Sequence, residues 1–432
     1  MQNEKSYGKN YYALAITLGA LAFISGLYFS KNLLNYASAF GFPVIGLFAL
    51  PFFSLLFIVV VAWKKQSVCS RHLMMAALIF LLGVLPFSKS LFQDIHYNWW
   101  DDGNRYSVCA HNMIDNHTLY GGDKLVTGTH RNRYAFQAGY RYFLALEFLI
   151  FQHEDRLLQI INIFLWCIIA GTLIRALQNL AINESLFRII LIFLFGASIY
   201  ATKNILMGLS EWFCVLLLLI YAICTIQKKI ILSIVFLALA VFVRQNQIFC
   251  ALLLFLLSII QTNKKISGVL IFIAVLLLPL YHNLYFDHSW SFFPDYNSYA
   301  LYFIPETTGN QAHDFLLMLG NTLMRYLGFD WQRNFMANFF GIIFIPCGVI
   351  MAIMMFRYLR GTHKAFFIAC ILFALASSFV LNWAYFPRFE FINLFFVLTG
   401  FILLWQLQLQ SVNLKNYFLL LLNRNLKTTN NN

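Results

Sequence analysis

Long apolar runs, separated by short polar turns, make up most of this chain. A helix that crosses the hydrocarbon core of a bilayer needs about 20 apolar residues, and about twelve of the runs come near that length. These runs lie near residues 11–29, 43–62, 73–88, 157–175, 186–201, 206–226, 230–243, 247–260, 266–284, 335–356, 365–381 and 389–409. The pattern predicts an all-α polytopic membrane protein with about twelve transmembrane helices.

Two longer polar segments, 89–156 and 285–334, interrupt the apolar pattern. Within the first, the apolar piece 141–151 carries Arg141 and Glu147. As a helix it would be about 16 Å long at about 1.5 Å per residue, too short for a core of about 30 Å. We therefore expect an amphipathic helix that lies in the membrane interface.

The composition agrees with a membrane protein, and it favours membrane lipid over nucleic acid as the partner of the positive charge. Of the 432 residues, 61% are hydrophobic and 11% are charged, whereas soluble domains usually carry about 25% charged residues. The formal net charge of +13 comes from lysines and arginines scattered between apolar runs, which favours contact with anionic membrane lipid and predicts no nucleic-acid partner. The eight cysteines lack paired or metal-ligand spacing, so we expect buried thiols and no disulfide framework.

The N-terminal part of the chain is predicted to form a two-span extension. Residues 1–10 are polar, and the apolar run that follows lacks a small-residue cleavage signal. We expect this run to be a retained anchor and not a removed signal peptide. The extension covers 1–72, and the main transmembrane domain covers 73–432 with both long polar segments as loops.

Clusters of lysine and arginine in the short loops predict the orientation. They comprise Lys5 and Lys9; Lys64, Lys65 and Arg71; Lys228 and Lys229; Lys264 and Lys265; Arg357, Arg360 and Lys364; and Lys415, Arg424 and Lys427. If the predicted spans alternate in direction, all these clusters fall on one side, which the positive-inside rule assigns to the cytoplasm. The segments 89–156 and 285–334 then become exoplasmic loops.

Several ionisable residues gather on that exoplasmic face. Asp101 and Asp102 lie in the first loop, Glu211 begins the sixth span, Arg244 ends the seventh, and Arg388 opens the last. Ionisable residues at the margin of the hydrocarbon are candidates for function. Each has a structural alternative: the arginines could be snorkelling anchors, Glu211 could be the partner of a nearby arginine, and the aspartates could form a solvated turn.

Five segments in chain order carry a resemblance to a known superfamily. They are Asp101-Asp102-Gly103 to Tyr120, Gly121 to Gly128, Gly208-Leu209-Ser210-Glu211, Leu239 to Asn246, and Tyr281 to Ala300. Together they resemble the GT-C superfamily of integral-membrane glycosyltransferases, in the branch of arabinofuranosyl- and mannosyltransferase-like bacterial proteins whose first outer loop carries an Asp-Asp pair. The resemblance covers about 73 to 400. Gln245-Asn246 stands where that branch has Pro-Glu.

The resemblance implies an inverting transferase in the bacterial cytoplasmic (inner) membrane with its active site on the periplasmic face. A polyprenyl-phosphate-sugar would be the co-substrate, and a glycan or glycolipid of the cell envelope would be the acceptor. A carboxylate can take the acceptor's hydroxyl proton, so Asp101 is favoured as the base and Asp102 as its partner, with little to separate the two. Guanidinium matches phosphate oxygens, so Arg244 and Arg388 are predicted to bind the donor phosphate.

Further polar residues are secondary candidates for acceptor or donor binding. They are Glu211, Arg105, Arg131, Arg133 and His282. Four of the histidines of the first loop could join the aspartates around a divalent cation, although their spacing matches no standard metal site. These histidines are His96, His111, His117 and His130.

Two other classes of membrane protein stay open. A multispan transporter or a flippase for lipid-linked glycans fits the number of spans, but such folds often have two similar halves and a site at mid-membrane, and no half-to-half repeat is evident here. A surface polysaccharide polymerase or ligase also uses large outer loops and arginine. The Asp-Asp pair favours the transferase over both.

Overall fold

The computed structural model describes residues 102–115, 138–151, 155–180, 182–287, 290, 335–381 and 387–410, and all regular elements in these ranges are helical. The α-helices are α1 (Asp102–Asp115), α2 (Ala138–Phe151), α3 (Asp155–Gln178), α4 (Glu184–Leu206), α5 (Glu211–Ile226), α6 (Ile230–Val243), α7 (Ile248–Ile260), α8 (Lys265–Asp287), α9 (Phe335–Tyr358), α10 (Thr362–Leu381) and α11 (Pro387–Leu409). A 3₁₀ turn, Gln245–Gln247, separates α6 from α7. The extension 1–72 and the predicted spans 11–29, 43–62 and 73–88 lie outside the described residues.

Every predicted span from residue 157 onward coincides with a helix. The short run 230–243 is the helix Ile230–Val243 itself. The largest shifts lie on the two sides of one turn, where the predicted span 186–201 extends to Leu206 and the helix predicted at 206–226 begins only at Glu211. The chain turns before it at Gly208, whose φ of 67° is a left-handed conformation that glycine adopts without steric cost.

Four of the described helices are long and apolar enough to cross a membrane. They are Leu158–Gln178, Glu184–Leu206, Lys265–Leu284 and Glu390–Leu409. The other apolar helices in the described ranges, such as Glu211–Ile226, are shorter. The all-helical architecture and the membrane character are therefore confirmed, while the count of about twelve spans stays a prediction.

The chain forms two compact units by its internal contacts. The first contains α1, Phe143–Arg175 and Ser198–Leu209. The second contains 138–142, Ala176–Ala197 and the described residues from Ser210 onward. The chain passes from one unit to the other within α2, α3 and α4.

In the second unit, α11 is the central helix. It packs against α5, α7, α9 and α10. Of its most apolar stretch of 18 residues, 78% is buried inside the protein. Its core face is aromatic: Phe395 packs against Phe391 and Phe193 with ring centroids 5.3 and 5.1 Å apart. By contrast, only 28% of the most apolar stretch of 18 residues in α8 is buried. Helix α8 therefore presents most of its apolar surface outward, as a lipid-facing helix does.

The C-terminal end of α11 also bonds to the ends of other segments. Gln406 donates to the carbonyl of Thr225 in the last turn of α5 at 3.2 Å, and Gln408 donates to the carbonyl of Tyr358 at the end of α9 at 3.3 Å. Trp405 donates to the carbonyl of Leu180 at 3.0 Å. The last carbonyls of a helix have no partner within the helix itself. The side chain of Gln408 satisfies such a group at Tyr358, and that of Gln406 adds a second donor to the carbonyl of Thr225, which also accepts from the backbone N–H of Lys228.

The helix predicted near 141–151 is present as α2, but its polar side faces inward. Arg141 is 2% exposed and Glu147 is 5% exposed, whereas Leu146 and Leu149 are 55% and 63% exposed. An amphipathic interfacial helix usually turns its charges toward water, whereas these two charged side chains are buried inside the protein. The side chains that could reach lipid are the leucines. The depth of α2 in a membrane stays a prediction.

Candidate functional site

A helical hairpin in the second unit brings Glu211 and Arg244 together. A tight turn at 227–229 joins α5 to α6, and Lys228 takes a positive φ of 59° there. Because the packed helices run antiparallel, the start of α5 lies beside the end of α6. Glu211 is the first residue of α5, and Arg244 follows the last residue of α6. Each charge therefore complements the dipole of its own helix.

The two side chains form a buried ion pair. Nη2 of Arg244 lies 2.9 Å from Oε1 of Glu211, and the side chains are 3% and 1% exposed. Nη1 of Arg244 also donates to Oγ of Ser210 at 3.3 Å. This is the contact expected if Glu211 is the structural partner of an arginine. If Arg244 binds phosphate as predicted, its guanidinium does so while it is already paired with the carboxylate of Glu211.

A second buried arginine, Arg141, lies in the first turn of α2 and contacts α8. Its Nη2 is 3.5 Å from Nε2 of His282, and the hydroxyl of Tyr142 is hydrogen-bonded to Nδ1 of the same ring. Among the described residues, Nε of Arg141 has no hydrogen-bond acceptor and no carboxylate is within ion-pair distance of the guanidinium. Arg141 therefore differs from Arg244, whose charge is balanced.

Contacts of α2 place Arg141 at the same end of the second unit as the ion pair. Nε1 of Trp212 donates to the hydroxyl of Tyr140 at 3.2 Å, and Trp212 directly follows Glu211. A Cβ on Gly139 would come within 2.8 Å of the backbone of Phe242, two residues before Arg244, so only glycine permits this approach. The start of α2, the start of α5 and the end of α6 thus meet at one end of the unit.

In the first unit, Asp102 opens a helix and does not lie in a loop. It is half-buried in the first turn of α1, where the helix dipole favours the ionised carboxylate. The next residue fixes the helix, because a Cβ on Gly103 would lie 1.8 Å from the carbonyl oxygen of Met207. Arg105 lies one turn further along α1. Asp101, the predicted partner of Asp102, lies outside the described residues.

A buried carboxyl, Glu147, also lies in the first unit. Nδ2 of Asn162 donates to its Oε2 at 3.3 Å. Burial raises the pKa of Glu147 to about 8, and the bond from Asn162 opposes this only in part. Glu147 is therefore a carboxyl that keeps its proton up to neutral pH.

The remaining candidates divide between described and undescribed parts of the chain. Arg388 is the second residue of α11, as the predicted opening of the last span requires. His111 stacks on Phe148 with ring centroids 4.1 Å apart. Within the described residues, no group of three or more His, Cys, Asp or Glu is placed to hold a metal ion. The others lie outside the described residues: Arg131, Arg133, His96, His117 and His130.

Sequence analysis did not single out Arg141 or Glu147 as site residues. Both stand in a run that reads as apolar, and the only signal was the presence of two charges in a helix of 14 residues. Comparison of the chain with protein-family models, with characterised proteins and with solved structures finds no significant match. The residues and their contacts therefore carry the functional argument.

Proposed function

We propose that this protein is a membrane glycosyltransferase of the GT-C type. It moves a sugar from a polyprenyl-phosphate donor to a hydroxyl of a cell-envelope glycan or lipid on the exoplasmic face. The observation that carries the proposal is Asp102, a half-buried carboxylate at the N-terminal end of α1. The helix end favours the ionised form, which is the form that a general base needs.

The reaction is a displacement at the anomeric carbon. The carboxylate of Asp102, or that of its neighbour Asp101, accepts the proton of the acceptor hydroxyl as its oxygen attacks the sugar. The bond from the anomeric carbon to the phosphate oxygen breaks, and polyprenyl phosphate leaves with the electron pair. Attack opposite to the leaving group inverts the anomeric centre. Arg244 and Arg388 are the proposed cations for the departing phosphate, since positive charge stabilises it.

Sugar transfer by the purified protein tests the proposal. With a labelled polyprenyl-phosphate-sugar, Asp101→Asn and Asp102→Asn should each lower the rate by about 10²–10⁴-fold, because asparagine keeps the size but cannot accept a proton. Asp115→Asn is a matched control, since Asp115 is the exposed last residue of the same helix. Near-normal rates in both single variants would refute the assignment of the base.

One observation favours the transporter as a second candidate. Glu147 is a buried carboxyl whose pKa of about 8 allows it to gain or lose a proton near neutral pH, as proton-coupled transporters require. Under this alternative, Glu147→Gln in proteoliposomes abolishes proton-dependent movement of a lipid-linked glycan while Asp102→Asn does not. Under the transferase, Asp102→Asn is the damaging change.

A further inference from the structure

The described part of the second unit contains two buried arginines in opposite electrostatic situations. Arg244 holds Glu211 at 2.9 Å. Arg141 is 2% exposed, and its guanidinium makes a hydrogen bond of 3.5 Å to a histidine nitrogen. A buried ion is strongly unfavourable unless an opposite charge and hydrogen bonds compensate it. Among the described residues, none supplies that charge to Arg141.

The position of Arg141 in its helix increases the imbalance. It is the fourth residue of α2, a helix of 14 residues. The first N–H groups of a helix have no acceptor within the helix and form the positive end of its dipole. A guanidinium at this end adds positive charge to positive charge, an arrangement that an anion would stabilise.

The hydrogen bonds among Arg141, Tyr142 and His282, here called the cluster, leave the hydroxyl hydrogen of Tyr142 as a further donor. Arginine only donates, so Nε2 of His282 must accept from Arg141. In the neutral ring Nδ1 then carries the proton, and it donates to the hydroxyl oxygen of Tyr142. The hydroxyl hydrogen of Tyr142 is not used in either bond. Burial raises the pKa of Tyr142 to about 12, so this hydrogen is retained at neutral pH.

We propose that Arg141, Tyr142 and the first turn of α2, with His282 orienting them, bind an oxyanion of the phosphate class. The cluster offers the Nε–H of Arg141 and the hydroxyl of Tyr142, which suit a ligand with several acceptor oxygens. The ligand is a phosphate that is either free or carried on a lipid headgroup. This site is independent of the proposed sugar transfer, because it requires neither Asp102 nor a glycosyl donor.

The first test compares thermal unfolding of the purified full-length protein in detergent with inorganic phosphate and with chloride at equal ionic strength. Arg141→Met removes the buried charge, so without phosphate it should unfold at a temperature equal to or above that of wild type. Saturating phosphate should raise the midpoint of wild type by several degrees and leave Arg141→Met unchanged, which reverses their order. An arginine with only a structural role would not produce this reversal.

Binding constants provide the controls. Arg141→Met should bind phosphate at least tenfold more weakly than wild type, and Tyr142→Phe about three- to tenfold more weakly, because it loses one hydrogen bond. Arg188→Gln is the matched control, since Arg188 is an exposed arginine paired with Glu184, and it should bind as wild type does. If Arg141→Met fails to fold, Tyr142→Phe and Arg141→Lys, which lacks Nε, decide.

A lipid arm distinguishes the two sources of phosphate. Micelles with phosphatidic acid are compared with micelles that carry diacylglycerol, which has the same chains and no phosphate. Tighter binding of phosphatidic acid than of inorganic phosphate identifies a lipid headgroup, and equal binding identifies the free anion. The proposal is overturned if neither phosphate source acts differently from its control in wild type, or if the Arg141 and Tyr142 variants respond as wild type does.

Discussion

Removing one charge of the buried pair Glu211 and Arg244 should destabilise the folded protein, because the other charge is left buried and uncompensated. Glu211→Gln leaves Arg244 buried without its carboxylate, so we expect it to lower the free energy of unfolding by about 3–5 kcal/mol. The double variant Glu211→Leu with Arg244→Met should recover most of that loss, because both charges are gone. Denaturant unfolding in detergent measures both.

The exposed pair of Arg188 and Glu184 is the control for the buried one. Their side chains are 70% and 77% exposed, so Glu184→Gln should change the unfolding free energy by less than about 1 kcal/mol. Equal effects of Glu184→Gln and Glu211→Gln would mean that burial of the pair contributes nothing.

The buried carboxyl of Glu147 gives the protein a stability that depends on pH. Its pKa is about 8 in the folded protein and near 4.5 in the unfolded chain. The folded state binds the proton more tightly, so its contribution is complete below about pH 4.5 and is lost as the pH rises to about 8. Glu147→Gln should remove this dependence. The difference between the two unfolding free energies, measured from pH 4 to 9, should therefore change by a few kcal/mol; parallel curves would contradict the assignment.

At the scale of single residues, the sequence predicted which charged residues share one end of the helices but not which side chains are buried. Glu211 and Arg244 were predicted to share one face, and they are in contact. Arg141 was predicted in an amphipathic interfacial helix, and its side chain is buried inside the protein. The difference arises because hydrophobic pattern indicates that a helix has two faces but not which one meets lipid. In a membrane the apolar face can point outward, so the charged face of α2 points inward.

Helix boundaries were predictable because the short turns carry strong local signals. The α5–α6 turn contains Gln227-Lys228-Lys229, and the α7–α8 turn contains Thr262-Asn263-Lys264. Such polar runs between apolar helices cannot remain in hydrocarbon. The start of α1 at Asp102 was not predicted, because a polar helix has neither an apolar run nor a strong period to reveal it.

The attachment of α1 to α4 can be tested by adding one methyl group. In Gly103→Ala the new Cβ would lie 1.8 Å from the carbonyl oxygen of Met207, and a backbone atom cannot move aside cheaply. We expect a loss of about 1–3 kcal/mol in unfolding free energy. If Asp102 is the base, sugar transfer should fall by roughly 10²-fold, since α1 is displaced.

Gly268→Ala is the matched control for this change. Gly268 also lies in the first turn of its helix, but its nearest neighbour is the end of a flexible side chain, Cδ1 of Ile259 at 2.6 Å. The isoleucine can rotate, and alanine favours the helix by up to about 1 kcal/mol. We therefore expect Gly268→Ala to be close to neutral. If both glycine variants behave alike, α1 is not held at Met207.

For the whole molecule, the central prediction is the direction of the chain. Lys264 and Trp290 lie beyond opposite ends of α8 (Lys265–Asp287), and Trp290 is 76% exposed. In a cysteine-free background, Lys264→Cys should react with a membrane-impermeant thiol reagent only from the cytoplasm, and Trp290→Cys only from the exoplasmic side. Labelling of both from one side would show that α8 does not cross the membrane.

The grouping of the helices into two compact units could be predicted from the sequence less well than the helices themselves. Apolar runs predict how many segments are available, but the two compact units combine residues from distant parts of the chain. The predicted boundary at 72 and 73 lies outside the described residues and stays a prediction, whereas the two units follow from contacts between helices, which depend on which faces match. Side chains such as Trp405 and Gln406 contribute to these matches, and nothing in the apolar run around them indicates their partners.

The bonds made by the end of α11 have a consequence for biosynthesis. Residues emerge from the ribosome in order, so α5 and α9 are synthesised before Trp405, Gln406 and Gln408 exist. Until those side chains arrive, the carbonyls of Leu180 and Tyr358 lack the donors that they have in the finished protein, and the carbonyl of Thr225 has only the backbone N–H of Lys228. The hydrogen bonds that tie α11 to the second unit are therefore among the last of its contacts to form during biosynthesis.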